Sequence, residues 1–227
     1  AASDVYKRQF IDHVNTNSVT LLYASKFIDR EALTMDNPKN NPIYDSNTNT
    51  NDAPVIRYAE VLLNWIEAKA ELGGVTQTDI DNSINQLRRR PLDATAQAKG
   101  LKNTADMKLS DITTDFDPAR DQDVDPLIWE IRRERRVELM GEGTRLDDLR
   151  RWKKGHYVNK QPTGVYLKDA SEFNVKVMNG PSNNEGYVYY FEKPIGWLEH
   201  YYLNPIPLNQ LALNPALEQN PGWENNK

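Results

Sequence analysis

Histidine, carboxylate and aromatic side chains are the groups in this chain whose types and spacing could support chemistry. Histidine occurs at His13, His156 and His200 only, with no HExxH motif and no pair four residues apart. A metal site built on imidazole would need all three to converge, so surface or hydrogen-bonded histidine is the simpler expectation. Glu138 and Glu142 stand four residues apart, on one face of a helix. A glycosidase needs two carboxyl groups across a cleft, about 5 Å apart for retention and farther apart for inversion. Here Arg135, Arg136 and Arg145 flank the pair, and a neighbouring guanidinium lowers a carboxyl pKa, the wrong direction for a general acid. Asp121, Asp123 and Asp125 are spaced like the opening of a calcium loop. Pro126 occupies the place of the required glycine and Arg132 that of the closing glutamate, so an acidic start to the following helix is expected instead. Cysteine is absent, which excludes thiol nucleophiles and thiolate metal sites. Nucleophile-elbow, phosphate-loop and dinucleotide-binding glycine patterns are absent too. The expectation is a protein without catalytic residues, metal or cofactor.

Binding is better supplied than catalysis. Tyr187, Tyr189, Tyr190, Phe191, Trp197, Tyr201 and Tyr202 fall within sixteen residues. Flat aromatic faces can stack on sugar rings while their polar edges hydrogen-bond hydroxyl groups. Tyr187, Tyr189 and Trp197, flanked by Gly186 and Gly196, are the candidate ligand contacts. Tyr201 and Tyr202 directly precede Leu203-Asn204-Pro205-Ile206-Pro207 and are expected to anchor the tail. Residues 131–154 hold nine Lys/Arg and five Asp/Glu. A nucleic-acid surface would array such cations on one solvent face. Here Arg135 with Glu138, Glu142 with Arg145, and Asp147 with Arg150 and Arg151 stand at pairing distances, so a structural salt-bridge network is expected.

Helices must position these groups. Between Ile56 and Leu72 the residues Tyr58, Val61, Leu62, Trp65 and Leu72 recur at three- and four-residue steps, with Ile66 and Ala68 widening the stripe. That period predicts an amphipathic helix packed through this face and stopped by Gly73-Gly74. A second helix is predicted over Asp79–Arg90, entered by a Thr78/Asp81 capping box and ended by Pro91. The pair spans 35 residues from Ile56 to Arg90, close to the tetratricopeptide period, although a plain helical hairpin fits nearly as well. Asp125 and Pro126 open a third helix to about Met140, with Ile128, Ile131 and Leu139 as its core face, helped by Leu127 and Val137. Gly141 and Gly143 precede a short helix over 144–153 carrying Leu146, Leu149 and Trp152. Val165–Leu167, Phe173–Val177 and Tyr187–Phe191 are candidate strands. The Asn-rich stretches 37–52 and 179–184 read as turns, and the tail from Leu203 as extended.

With 227 residues, 38% hydrophobic and 27% charged, the chain can bury a substantial core. No apolar run reaches the ~18 residues of a membrane-spanning helix. A net charge of −5 argues against nucleic acid as the default partner. The chain starts Ala1-Ala2-Ser3-Asp4, without initiator Met or a signal-like apolar segment, so upstream sequence is expected.

Three ordered segments carry a resemblance. Pro54-Val55-Ile56-Arg57-Tyr58-Ala59-Glu60-Val61-Leu62-Leu63-Asn64-Trp65-Ile66-Glu67-Ala68 is the first. Arg133-Glu134-Arg135-Arg136-Val137-Glu138-Leu139 then leads through Glu142-Gly143 and Arg145 to Asp148-Leu149-Arg150-Arg151-Trp152. The tail Tyr202-Leu203-Asn204-Pro205-Ile206-Pro207 continues to Leu217-Glu218-Gln219-Asn220-Pro221-Gly222-Trp223. Together they resemble the C-terminal part of the SusD/RagB family, with Gly141 and Trp223 as small departures. The resemblance implies a mainly α fold of tetratricopeptide-like helical hairpins with long irregular loops and a short β-hairpin. It divides the chain into a loop-rich lead-in, 1–53, and a C-terminal helical domain, 54–227. It further implies non-catalytic capture of oligosaccharide or another nutrient at the surface of a Bacteroidetes outer membrane, and delivery to a SusC-like TonB-dependent transporter. Attachment to the membrane would be through an N-terminal lipid anchor outside this sequence. Within the matched motifs Arg57, Glu60, Glu138, Glu142 and Arg145 take a structural, helix-pinning role. The competing expectation is a tetratricopeptide-like scaffold that binds only protein partners.

Overall fold

Helix α1, Tyr58–Leu72, is rich in Ala, Leu and Glu and stops where Gly73 and Gly74 take positive φ angles of 84° and 78°. This computed structural model describes residues 54–224 apart from 172, 190 and 195; the lead-in 1–53, with His13, and Tyr190 lie outside the described residues. The chain's contacts group into two units, which among the described residues cover 54–142 and 143–224. The described residues are mainly helical, with one small antiparallel sheet.

In the first unit α1 folds back through the Gly-Gly turn onto α2, Gln77–Asp81, and α3, Ile84–Arg88. These replace the single helix expected over Asp79–Arg90. Ser83 explains the break, since its hydroxyl donates to the Asp79 carbonyl at 2.6 Å and so competes with the helical ladder. The capping box forms two residues earlier than expected, with Thr76 as the N-cap and Asp79 as its partner. Asp79 also accepts from Lys69 at 2.5 Å, which ties α2 back to α1. Buried Asn85 donates to the Met107 carbonyl at 3.0 Å and accepts the Met107 amide at 2.7 Å, so the segment after α4, Ala94–Ala98, is held along α3.

Helix α5, Pro126–Glu138, starts on Asp125, whose carboxylate accepts the Leu127 amide at 2.9 Å. It lies against α1, and the core between them consists of Ala59, Leu62, Leu63, Ile66, Ile80, Ile84, Leu87, Met107, Ile131 and Leu139. The α1 stripe expected from periodicity is therefore only half right. Leu62 and Ile66 face the core, whereas Tyr58, Val61, Trp65 and Leu72 are 68, 49, 43 and 89% exposed. Val137 on α5 and Leu146 also face outward.

Ion pairs edge this core and cross between elements. Arg57 donates to both Glu142 oxygens at 2.7 and 2.6 Å and to Glu138 at 3.0 Å, while Arg90 reaches the other Glu138 oxygen at 2.5 Å. Arg88 meets Glu134 at 2.7 Å, and Arg135 donates to Asn64 at 2.7 Å with Glu60 at 3.9 Å. These antiparallel neighbours offer partly desolvated partners, where charge-assisted hydrogen bonds are stronger.

The second unit begins with α6, Arg145–Arg151, whose Leu149 and Asp148 are buried. A 3-10 turn at Gly155–Asn159 leads to strands β1, Tyr166–Leu167, β2, Lys176–Met178, and β3, Gly186–Tyr189, in the order β1-β3-β2. The tail is less extended than expected. After Pro207 it forms the six-residue helix α7, Leu208–Leu213. Gln219 then brackets Ile206, accepting its amide at 2.7 Å and donating to its carbonyl at 2.9 Å.

Lys69, ahead of two hydrogen bonds from Thr76, lowers the pKa of Asp79 to about 2. A carboxyl depressed in the folded state contributes stability that is complete above its unfolded pKa, near 4, and disappears as pH falls through about 2. Asp79→Asn is thus expected to melt below the wild type at pH 7 and to converge with it near pH 2, followed as Tm against pH. A gap that stays constant across that window contradicts this role.

Candidate ligand-binding surface

The sheet is where aromatic side chains collect on one exposed face. Along β3 alternate residues point to opposite sides, so Val188 is fully buried while Tyr187 and Tyr189 share the other face. Register places Tyr166 and Met178 on either side of Tyr187, and Lys176 opposite Tyr189. Cross-strand neighbours on one face lie about 5 Å apart, close enough for rings to touch. Tyr166 and Tyr187 do so edge to face, with centroids 5.0 Å apart and planes at 76°, and each is about two-fifths exposed.

Glycines allow the strands to come this close. Gly186 has φ +148°, and a Cβ there would lie 2.4 Å from the Met178 carbonyl oxygen. Gly180, in the β2–β3 connection, sits so near Glu185 that a Cβ would fall 1.7 Å from its carbonyl oxygen. Polar groups border the rings. The Tyr166 hydroxyl donates to Glu185 at 2.7 Å, which raises the phenol's pKa above its ordinary value and keeps the proton on it. Lys176 donates to Glu192 at 3.0 Å, and that bond raises its pKa as well. The result is a flat aromatic patch with hydrogen-bonding groups at its rim, the chemistry suited to the apolar face and hydroxyl edge of a sugar.

Trp197 is placed differently from Tyr187 and Tyr189. Its indole lies on Gly155, where a Cβ would come within 2.1 Å of the ring, and packs on Tyr202 at 5.0 Å and Tyr201 at 5.9 Å. Tyr202 accepts the Gly155 amide at 2.9 Å. His200 is clamped edge-on between Tyr201 and Trp223, at 4.7 and 4.6 Å, and Trp223 donates to the His200 and Leu203 carbonyls, both at 3.0 Å. These contacts fasten the chain's last turns to the 3-10 segment Glu199–Tyr202. His156 sits edge-on to Tyr157 at 4.8 Å. Among the described residues no group of three or more His, Asp or Glu is arranged to hold a metal ion.

Of the ion-network candidates, Arg57, Glu138 and Glu142 meet in one cluster, and Glu60 lies beside Arg135. Arg145 has its guanidinium 5.6 Å over the Trp152 ring. Glu138 is buried between Arg57 and Arg90, so it does not line an open cleft. Tyr166 was not among the sequence candidates, although it lay within a predicted strand. Only its pairing with Tyr187 makes it part of the surface.

Comparison with known proteins adds the lineage. The SusD family matches residues 9–223. The chain belongs to the SusD family. Solved structures similar to this SusD-family chain include a SusD-like protein (BF3747) from Bacteroides fragilis, 27% identical over 74% of this chain and 25% of that one, with a TM-score of 0.44. BT4246, in a selenomethionine and a second structure, is 30% identical over 77% of this chain and 25 and 24% of those chains, with TM-scores of 0.46. The chain therefore spans about a quarter of the length of these solved relatives. No curated protein matches it. No described helix is long and apolar enough to cross a membrane.

Gly155→Ala is expected to push the Trp197 indole off its seat and loosen the aromatic clasp. Near-UV circular dichroism should lose tryptophan intensity and Tm should fall. An unchanged spectrum at unchanged Tm would show that the indole does not rest on Gly155.

Proposed function

We propose that this chain is part of a cell-surface nutrient-binding protein that holds an oligosaccharide without cleaving it. It passes its cargo to a SusC-like TonB-dependent transporter in the outer membrane. Family membership supports the nutrient-binding class, and the face of exposed Tyr166 and Tyr187 with half-buried Tyr189 supports a glycan as the nutrient. The face carries this reading. Aromatic rings left in water cost hydration free energy, and a three-stranded sheet that spends side chains on them gains nothing in its own core. A shallow, wet platform suits weak and repeated contacts to a long glycan, whereas a deep pocket suits a small substrate.

In this reading Tyr187 is the central stacking ring, with Tyr166 and Tyr189 beside it, and Glu185 and Glu192 accept hydrogen bonds from sugar hydroxyls. Trp197 supports the fold of the tail through Gly155 and Tyr202. Arg57, Glu60, Glu138, Glu142 and Arg145 hold helices and touch no ligand.

Affinity electrophoresis of the full-length protein through gels containing a panel of polysaccharides tests the reading. At least one glycan should retard the wild type, Tyr187→Ala should weaken that retardation about tenfold or more with Tm unchanged, and no shortened products should appear. Retardation unaffected by Tyr187→Ala moves the site off this face. Glycan cleavage, or binding only to protein partners, would overturn the function itself.

A further inference from the structure

Hydrogen-bonding groups on the sheet face are arranged unevenly. Tyr166 gives its only hydroxyl proton to Glu185 Oε1 at 2.7 Å, a bond that raises the phenol's pKa and keeps the proton in place. A phenol whose proton is committed can still accept, and a carboxylate can do nothing but accept. Among the described residues none donates to Glu185 Oε2 and no cation forms an ion pair with Glu185, although Lys168 follows β1 directly. The Tyr166 oxygen and Glu185 Oε2 therefore stand close together as two acceptors without a donor.

The backbone fixes this pair in advance. The Glu185 amide donates to the Ser182 carbonyl at 3.2 Å, and the neighbouring Asn184 carbonyl accepts the Ala170 amide at 2.7 Å. The Glu185 carbonyl lies so near Gly180 that no Cβ fits between them, and Tyr166 rests edge to face on Tyr187. Acceptors held in place before a ligand arrives lose little freedom on binding it. The opposite end of the face differs. Lys176, opposite Tyr189, pairs with Glu192 at 3.0 Å, and the two largely exposed side chains together are neutral and supply donors as well as acceptors.

We propose that Tyr166 and Glu185 make this face selective for neutral sugars that present two adjacent, unsubstituted hydroxyl groups. This selectivity rests on the glycan-binding reading above and names the class of glycan. Each hydroxyl donates to one acceptor of the pair while the sugar ring stacks on Tyr187. An ether in place of a hydroxyl sets acceptor against acceptor and leaves both unsatisfied. A uronate, sulfate or carboxymethyl group does the same and also brings a second negative charge toward Glu185. A site built around a substrate hydroxyl rejects the analogue lacking it more strongly than an apolar site rejects an added group.

Affinity electrophoresis of the full-length protein tests the selectivity, in gels containing starch, xylan, mannan, galactan or mixed-linkage β-glucan, each beside its methyl and carboxymethyl ethers. The parent polymer that retards the wild type should hold it about tenfold or more tighter than either ether does. Glu185→Gln keeps an oxygen for the Tyr166 proton but turns an amide donor outward. With Tm unchanged, it should weaken binding to the parent about tenfold and narrow the gap to both ethers to about threefold or less. Ethers that hold the wild type as tightly as the parent overturn the selectivity, whether or not the variant folds. A folded Glu185→Gln with the wild-type gap overturns it too. In either case, binding that Tyr187→Ala abolishes leaves the glycan-binding reading standing, whereas a wild type retarded by no polymer overturns both.

Discussion

One guanidinium closes the helical unit. Arg57, the last residue before α1, forks onto Glu142 and reaches Glu138, so the start of α1 is fixed to the end of α5. Arg90 takes the remaining oxygen of Glu138 and adds the end of the α2–α3 segment to the same point. Removing one member would leave its partners charged and partly desolvated, which is why such clusters are costlier to break than they are valuable to form. With the ends of three elements tied there, Leu63, Ile66, Ile80, Ile84 and Ile131 can pack without any exposure. Arginine serves better than lysine because its planar fork engages two carboxylates at once.

This arrangement separates holding from binding. Glu138 and Glu142 commit their oxygens to hydrogen bonds from Arg57 and Arg90. The aromatic face belongs to the other unit and owes its form to different constraints: a buried Val188 beneath, two glycines that let the strands approach, and rings that touch across the register.

Much of the helical architecture was legible in the sequence, because Gly73-Gly74, Asp125-Pro126 and Gly141 punctuate it with local chemistry. Which face of α1 is buried was not. Its circumference carries two apolar stripes, and periodicity reports that stripes exist without saying what lies against each. The stripe through Tyr58, Val61, Trp65 and Leu72 is real, but it is the outward one. The Ser83 break went unseen because a single serine hydroxyl decides it. Which partners the ion pairs take across helices, such as Arg57 with Glu138 and Glu142 or Arg88 with Glu134, was not legible, since sequence spacing measures only neighbours on the same element. On the sheet, Tyr187 and Tyr189 stood out by composition, whereas Tyr166 joins them only through strand register, a long-range fact no local pattern encodes. Trp197 looked equivalent to them in sequence, and its packing on Gly155 is likewise a contact that no local pattern encodes.

The central claim is that the arginine–glutamate cluster is architecture. A double-mutant cycle on Arg57→Ala and Glu142→Gln tests it most directly, with denaturant unfolding and glycan retardation measured on all four proteins. The account expects a coupling on the order of 1–3 kcal/mol in stability and identical retardation in every variant that remains folded. Additive effects within about 0.3 kcal/mol, or a folded variant that loses its glycan, would contradict it.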